Sequence, residues 1–337
     1  MKLFLYGAPF FSFQGVLILL SLLTFQETKE VALSQGHEVQ SLSSLIGELI
    51  VKTSIFFVSV LIFRFAVLYL YSERIPPLIL RSDASPDLKK QALHNFWKLP
   101  WLCLLFWISA RHLQPVLPWT VGGDVGFIVR SDALPESCYI CRTLICAYSA
   151  HLFTLLYLMY RQENTGIDSA NLEFMVHHMI TISAVVGAVL LREEERAAIV
   201  IHTHFPADIV VNLARMLRFS KHQKTFILIL FVCVLVWVWT RLYTYPFYVL
   251  FPFLREVTQQ SPSVPILRKI VKGFFGMNQL MLLSLHLFWT WKILSVVWRV
   301  LTGDDQENQV HTDDVSKTEE TGKKVVKTAL RRKRPGT

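Results

Sequence analysis

The chain has 337 residues, of which 53% are hydrophobic and only 18% charged, with a formal net charge of +9. An ordinary soluble domain is about 25% charged and its surface helices turn a polar face to water; the long apolar runs here have no such face, which excludes a soluble helical bundle. The positive charge sits in loops and near the C-terminus, where it reports membrane topology and anionic headgroups rather than a nucleic-acid partner.

A hydrocarbon layer of roughly 30 Å is crossed by about 20 mostly apolar helical residues. In chain order the sequence predicts such segments at residues 10–25, 45–71, 96–117, 139–160, 174–191, 197–219, 226–251 and 271–301. The segment 197–219 carries more polar residues than any other. The expected fold is all-α, a polytopic membrane protein of seven or eight transmembrane helices. The first run, behind Met1 and Lys2, reads either as a cleaved signal peptide or as a retained anchor, and the topology of the rest is the same in both cases. Positive residues favour the cytosol. Arg74, Arg81, Lys89 and Lys90 in one loop, Arg218, Lys221 and Lys224 in another, and Arg331, Arg332, Lys333 and Arg334 in the tail all fall on one side of an eight-span chain. The loops 26–40 and 122–136 are neutral or acidic and are expected in the lumen. Residues 303–320 are rich in Asp, Glu, Gln and Thr and residues 323–334 are basic, so the tail is expected to be disordered. The organisation predicted is N-terminal helices and a cytosolic loop over 1–95, a membrane domain over 96–301 and a cytosolic tail over 302–337.

Five cysteines are present, Cys103, Cys138, Cys141, Cys146 and Cys233. Cys138 and Cys141 have no second pair and no nearby His to complete a zinc site. They read either as a lumenal disulfide or as two small residues at a helix entrance.

Ionisable residues inside membrane helices are expensive and point to function. His177 and His178 are adjacent, so on a helix they diverge by about 100° and cannot address one target symmetrically. Glu173 and Thr181 stand four residues to either side of His177. In the next segment His204, Asp208, Asn212 and Arg215 recur at helical spacing and share one face, with Pro206 placed to bend the helix between them. At 1.5 Å per residue the histidine pair lies roughly 10 Å inside the cytosolic end. Asp208 lies at similar depth on an antiparallel neighbour, which allows an Asp–His pairing in which the carboxylate orients the imidazole. Arg241, His286 and Trp289 are weaker intramembrane signals, each compatible with an interfacial role.

In this order, His177-His178 with Thr181, Arg196, His204 with Asp208, residues 212–216, Thr240-Arg241-Leu242 with Tyr245-Pro246-Phe247, and residues 285–289 resemble the TLC-domain family and, within it, the ceramide synthases. The resemblance runs from about residue 96 to residue 300. It implies a six-helix barrel around a pocket and N-acyl transfer from acyl-CoA to a sphingoid base in the endoplasmic reticulum membrane, with the C-terminal tail in the cytosol. It implies His177, His178 and Asp208 as catalytic residues and His204, Asn212, Arg215, Arg241, Thr181 and Trp289 as substrate-binding residues. No metal and no cofactor beyond acyl-CoA as co-substrate is expected. The partners implied are acyl-CoA, the sphingoid base, membrane lipid and a homo- or hetero-oligomer. The sequence departs from the family at three positions: Phe205 stands at an acidic position, Asn212 where Glu is common and Arg215 where Lys is common. Phe205 keeps open a second function, a TLC-domain protein that binds or senses lipid or regulates an active paralogue, and a third is another lipid enzyme using acyl-CoA.

Overall fold

The computed structural model describes residues 41–80, 86–113, 135–162, 169–191, 193–218, 220–260, 264 and 266–302. The first apolar segment, the loop 26–40, nearly all of the loop 122–136, the tail and the side chain of Cys138 lie outside the described residues. Within them every element is helical, apart from one bridge between Leu80 and Ser220.

Helix α1, Leu42–Tyr71, is capped by Ser41, whose Oγ accepts the Ser44 N–H at 3.2 Å. Its apolar run has no polar face, and Ile50, Ile62, Phe65 and Tyr69 are all exposed on it; hydrocarbon is the environment that tolerates that surface. Pro76 and Pro77 open a short second helix, α2, Ile75–Ile79, because proline suits the first helical turn and prevents α1 from continuing. Then follow α3, Pro86–Phe96; α4, Lys98–Leu113; α5, Pro135–Gln162; and α6, Ser169–Leu190. Helix α7, Glu194–Leu217, starts with Glu194 and Glu195, whose charges suit the positive end of a helix dipole. Helix α8, Gln223–Trp237, widens into a π-helical stretch, Val238–Leu250, and narrows again as α9, Phe251–Thr258. The last helix, α10, is Ile266–Thr302.

Six of these segments are long and apolar enough to cross a membrane: Ser43–Tyr71, Tyr139–Met159, Glu173–Leu190, Glu194–Leu217, Gln223–Thr258 and Ile266–Thr302. The protein is therefore an all-α polytopic membrane protein, with six such helices among the described residues rather than seven or eight. The segment expected over 96–117 contains a turn at Trp97 followed by α4, and its residues 114–117 lie outside the described residues.

Helix α7 lies at the centre and packs against α3, α4, α5, α6, α8 and the π-helical stretch, while α1 packs on α5. The most polar segment of the chain is thus enclosed by protein, where its side chains find partners, and the apolar helices face outward. The described residues up to Phe288 form one compact unit and those from Trp289 onward a second. The two basic loops of the first unit meet: Leu80 bridges Ser220, and the Lys221 N–H donates to the Ile79 carbonyl at 3.1 Å.

Charges at the helix ends are mutually compensated. Glu48 on α1 holds Lys52 at 2.6 Å and Arg142 of α5 at 3.3 Å, and the Lys52 ammonium stands 3.7 Å from the centre of the Tyr139 ring. At the N-terminus of α7, Lys272 of α10 contacts Glu193 at 2.9 Å and Glu256 of α9 at 2.6 Å, and Arg196 contacts Glu256 at 2.8 Å. Gly276 belongs to the same junction, for a Cβ there would stand 3.0 Å from Leu254. Because Lys272 serves two carboxylates, Lys272→Met is expected to lower stability by about 3 kcal/mol, read as a lower unfolding midpoint in detergent. Adding Glu256→Gln should recover part of that loss, by removing a charge left with one partner.

Candidate functional site

The centre of the site is Arg241, on the π-helical stretch and only 1% exposed. One guanidinium nitrogen, Nη2, donates to Asp208 Oδ1 at 2.6 Å and to the His204 carbonyl at 3.2 Å; the other, Nη1, donates to His286 Nε2 at 3.2 Å. The group lies 5.3 Å from the Trp237 ring centre, so its cationic face is also covered. Arginine suits this place because its fixed fork of donors serves several acceptors at once.

Three imidazoles gather around it. His204 and His286 have ring centres 5.2 Å apart, and His177 lies 6.5 Å from His204 and 6.4 Å from His286. Tyr245 meets the His286 ring edge-on at 5.2 Å, and its hydroxyl donates to the Gln279 carbonyl at 2.9 Å. Two tautomers follow from the partners. The Val200 carbonyl can only accept, so His204 carries its proton on Nδ1, 2.6 Å away. Arg241 can only donate, so His286 Nε2 is the acceptor and its proton sits on Nδ1. His204 Nε2 is then a buried lone pair without a partner. Among the described residues no group of three or more His, Cys, Asp or Glu side chains is disposed to hold a metal ion.

The expected residues divide as follows. His177 and His178 have ring centres 5.5 Å apart, and only His177 reaches the Arg241 cluster. The Asp208 carboxylate is paired with Arg241 at 2.6 Å. Asn212 donates to the Asp208 carbonyl at 2.7 Å, and Thr181 donates to the His177 carbonyl at 2.9 Å, so both brace the backbone. Arg215 is at the outer end of α7, 4.7 Å from the Phe174 ring centre. Trp289 belongs to the second unit. Phe205 is fully buried, edge-on against Tyr148 at 5.4 Å.

An apolar cavity of about 930 Å³ lies to one side, walled by α1, α5 and α6 through Leu49, Phe57, Cys146, Phe153, Met175 and Met179. Met175 and Met179 flank His178 on α6.

Residues 133–295 match the family model of the TLC domain. The chain carries a TLC domain. Among curated proteins it is similar to "Ceramide synthase LOH1" of Arabidopsis thaliana, 23% identical over 175 residues, covering 50% of this chain and 51% of the relative. It is also similar to "Ceramide synthase hyl-1" of Caenorhabditis elegans, 28% identical over 154 residues, 42% of this chain and 40% of the relative. With "ASC1-like protein" of Solanum lycopersicum it is 24% identical over 245 residues, 68% of this chain and 76% of the relative. The chain spans about half the length of the first two relatives that it matches. The stretch that matches the TLC-domain model contains every member of the Arg241 cluster, whereas α1 to α4 precede it.

Within this TLC domain, Arg241→Met leaves the Asp208 carboxylate without its cation. The expected result is a loss of about 3 kcal/mol or more, measured by thermal unfolding in detergent. Arg241→Met with Asp208→Asn should be more stable than Arg241→Met alone.

Proposed function

We propose that this protein is an N-acyltransferase that moves a fatty acyl group from acyl-CoA to the amine of a sphingoid base. The observation that carries the reading is the buried His177, His204 and His286 group held around Arg241 inside a ceramide synthase-like TLC domain. Three imidazoles and a guanidinium are more polar machinery than packing requires, and intramembrane groups of this kind mark reaction or transport paths. The apolar cavity beside α6 supports a lipid substrate with long chains.

In the proposed step the amine lone pair attacks the thioester carbonyl carbon. The C–N bond forms, the C–S bond breaks and CoA leaves as thiolate. His177 takes the amine proton and passes it to the departing sulfur, so the imidazole ends as it began. His204, with its open Nε2, lies beside His177 to share that proton. Arg241 and Asp208 keep the imidazoles in place and supply fixed charge near the oxyanion of the tetrahedral intermediate. The proposed setting is the endoplasmic reticulum membrane, with the loops at Leu80 and Ser220 and the C-terminal tail on the cytosolic side.

A second reading rests on Phe205. Its burial against Tyr148 places a hydrocarbon contact at a position where the family resemblance expects an acid, which favours a lipid-binding or regulatory protein without turnover.

The test is ceramide formation by the purified chain in lipid nanodiscs, given a sphingoid base and acyl-CoAs of several lengths. Product is expected, and His177→Ala should lower the rate by roughly 100-fold or more, with substrate binding retained. Folded protein that binds lipid and yields no amide would select the second reading. Phe205→Asp is expected to unfold the bundle rather than raise the rate, because it exchanges a packed ring for a buried carboxylate; a faster, stable variant would contradict that assignment of Phe205.

A further inference from the structure

The apolar cavity between α1, α5 and α6 is a compartment of its own. Helix α6 borders it through Met175, Met179, Val186 and Leu190, and His177 stands two residues from each methionine. Two residues are about 200° of turn on a helix, so His177 and the methionines take opposite faces and α6 is the wall between cavity and imidazoles. The facing wall, α1, precedes the stretch matched by the TLC-domain model. Helix α1 packs on α5 and is tied to it at two levels. Lys52 donates to Thr143 at 3.3 Å beside the Glu48 and Arg142 pair, and further along Phe57 meets Tyr157 edge-on at 6.3 Å.

The lining runs over residues 46 to 58 of α1 and 145 to 157 of α5, about 18 Å at 1.5 Å per residue. Over that length a volume of about 930 Å³ has a mean section of about 50 Å². Carbon atoms of neighbouring chains rest roughly 4 Å apart, so one chain fills on the order of 20 Å² and the cavity takes two side by side. Among the described residues no charged side chain lines it, and its polar groups are the neutral ones of Thr53, Ser54, Cys146, Ser149 and Tyr157. A phosphate carried to that depth would be left unpaired, and Lys52 and Arg142 at the end of α5 are both engaged by Glu48.

Ser149 adds a specific request. It is 3% exposed, it borders the cavity, and its Oγ has no hydrogen-bond partner. Other helix hydroxyls of this bundle give their proton to the carbonyl one turn back, as Thr154 and Thr181 do at 2.9 Å. A buried hydroxyl without a partner costs roughly 1–3 kcal/mol, which a ligand with a hydroxyl or amide group relieves.

We propose that this cavity binds a ceramide, the neutral two-chain amide that the proposed reaction forms, with the head on Ser149 and the chains between α1 and α6. The head of such a lipid offers hydroxyl and amide groups to the row of Thr53, Ser54 and Ser149. Calling the ligand a product rests on the acyltransferase reading; the binding site does not. Product is thereby held on the far face of the helix that carries His177, against Met175 and Met179, whose unbranched side chains adapt to what they touch.

The experiment uses the full chain in phosphatidylcholine nanodiscs and a ceramide with a diazirine in its acyl chain, cross-linked by light and mapped by tandem mass spectrometry. Labelling is expected to saturate, to fall on α1, α5 and α6 around the cavity, and to be displaced by unlabelled ceramide but not by phosphatidic acid. Ser149→Ala should weaken it roughly fivefold. Its unfolding temperature should match the parent's, since the Oγ has no partner in the protein to lose. Val58→Trp, at a lining position that is 52% exposed and so admits a larger ring, should abolish labelling. His177→Ala should label as the parent does, because α6 separates the two places. Saturable labelling at the cavity without amide formation would keep the site and sink the transferase reading. Amide formation without saturable labelling would do the reverse. The proposal is also overturned if labelling falls on the imidazole face and is lost in His177→Ala, if Ser149→Ala or Val58→Trp binds as the parent does, or if diacylglycerol or phosphatidic acid displaces the probe at least as well as ceramide.

Discussion

A guanidinium that is 1% exposed inside a helical bundle needs acceptors on several sides, and Arg241 has them in Asp208, the His204 carbonyl and His286. These contacts join the π-helical stretch, α7 and α10, so they fix the relation of three helices that enclose the imidazoles. Taking both charges out of water is offset only when the geometry satisfies the donors. That condition constrains the rest. The Asp208 carboxylate is held by Arg241, and most side chains of α7 are buried among neighbouring helices. The π-helical turn also fits this picture: such turns gather at functional positions, where a wider helix re-aims its side chains.

The same accounting explains why the bundle has two polar regions of different character. At the N-terminus of α7, Glu193, Glu256, Arg196 and Lys272 neutralise one another and hold the ends of three helices together. The second is the Arg241 cluster, balanced in charge but rich in groups that exchange protons.

Much of the fold was legible in the sequence because hydrocarbon imposes a length and a composition on whatever crosses it. The segments at 45–71, 139–160, 174–191, 197–219, 226–251 and 271–301 all correspond to long helices. Within the segment at 96–117, apolarity does not reveal the turn at Trp97. In the site, His177, His204, Asp208 and Arg241 could be found as ionisable residues in apolar surroundings. Their pairing could not, since helix periodicity assigns a face and not the neighbour across it. The partnership of Asp208 with Arg241 is a property of the packed helices.

The central claim is that lipid chemistry takes place at the imidazoles around Arg241. It is tested most directly by a photoreactive acyl-CoA, with its reactive carbon beside the thioester, cross-linked to the full chain in nanodiscs and mapped by tandem mass spectrometry. The account predicts labelling on α6 near His177 and on α7 near His204 and Asp208, suppressed by excess sphingoid base and acyl-CoA. Labelling confined to the walls of the apolar cavity, at residues such as Leu49 and Phe57, would contradict it.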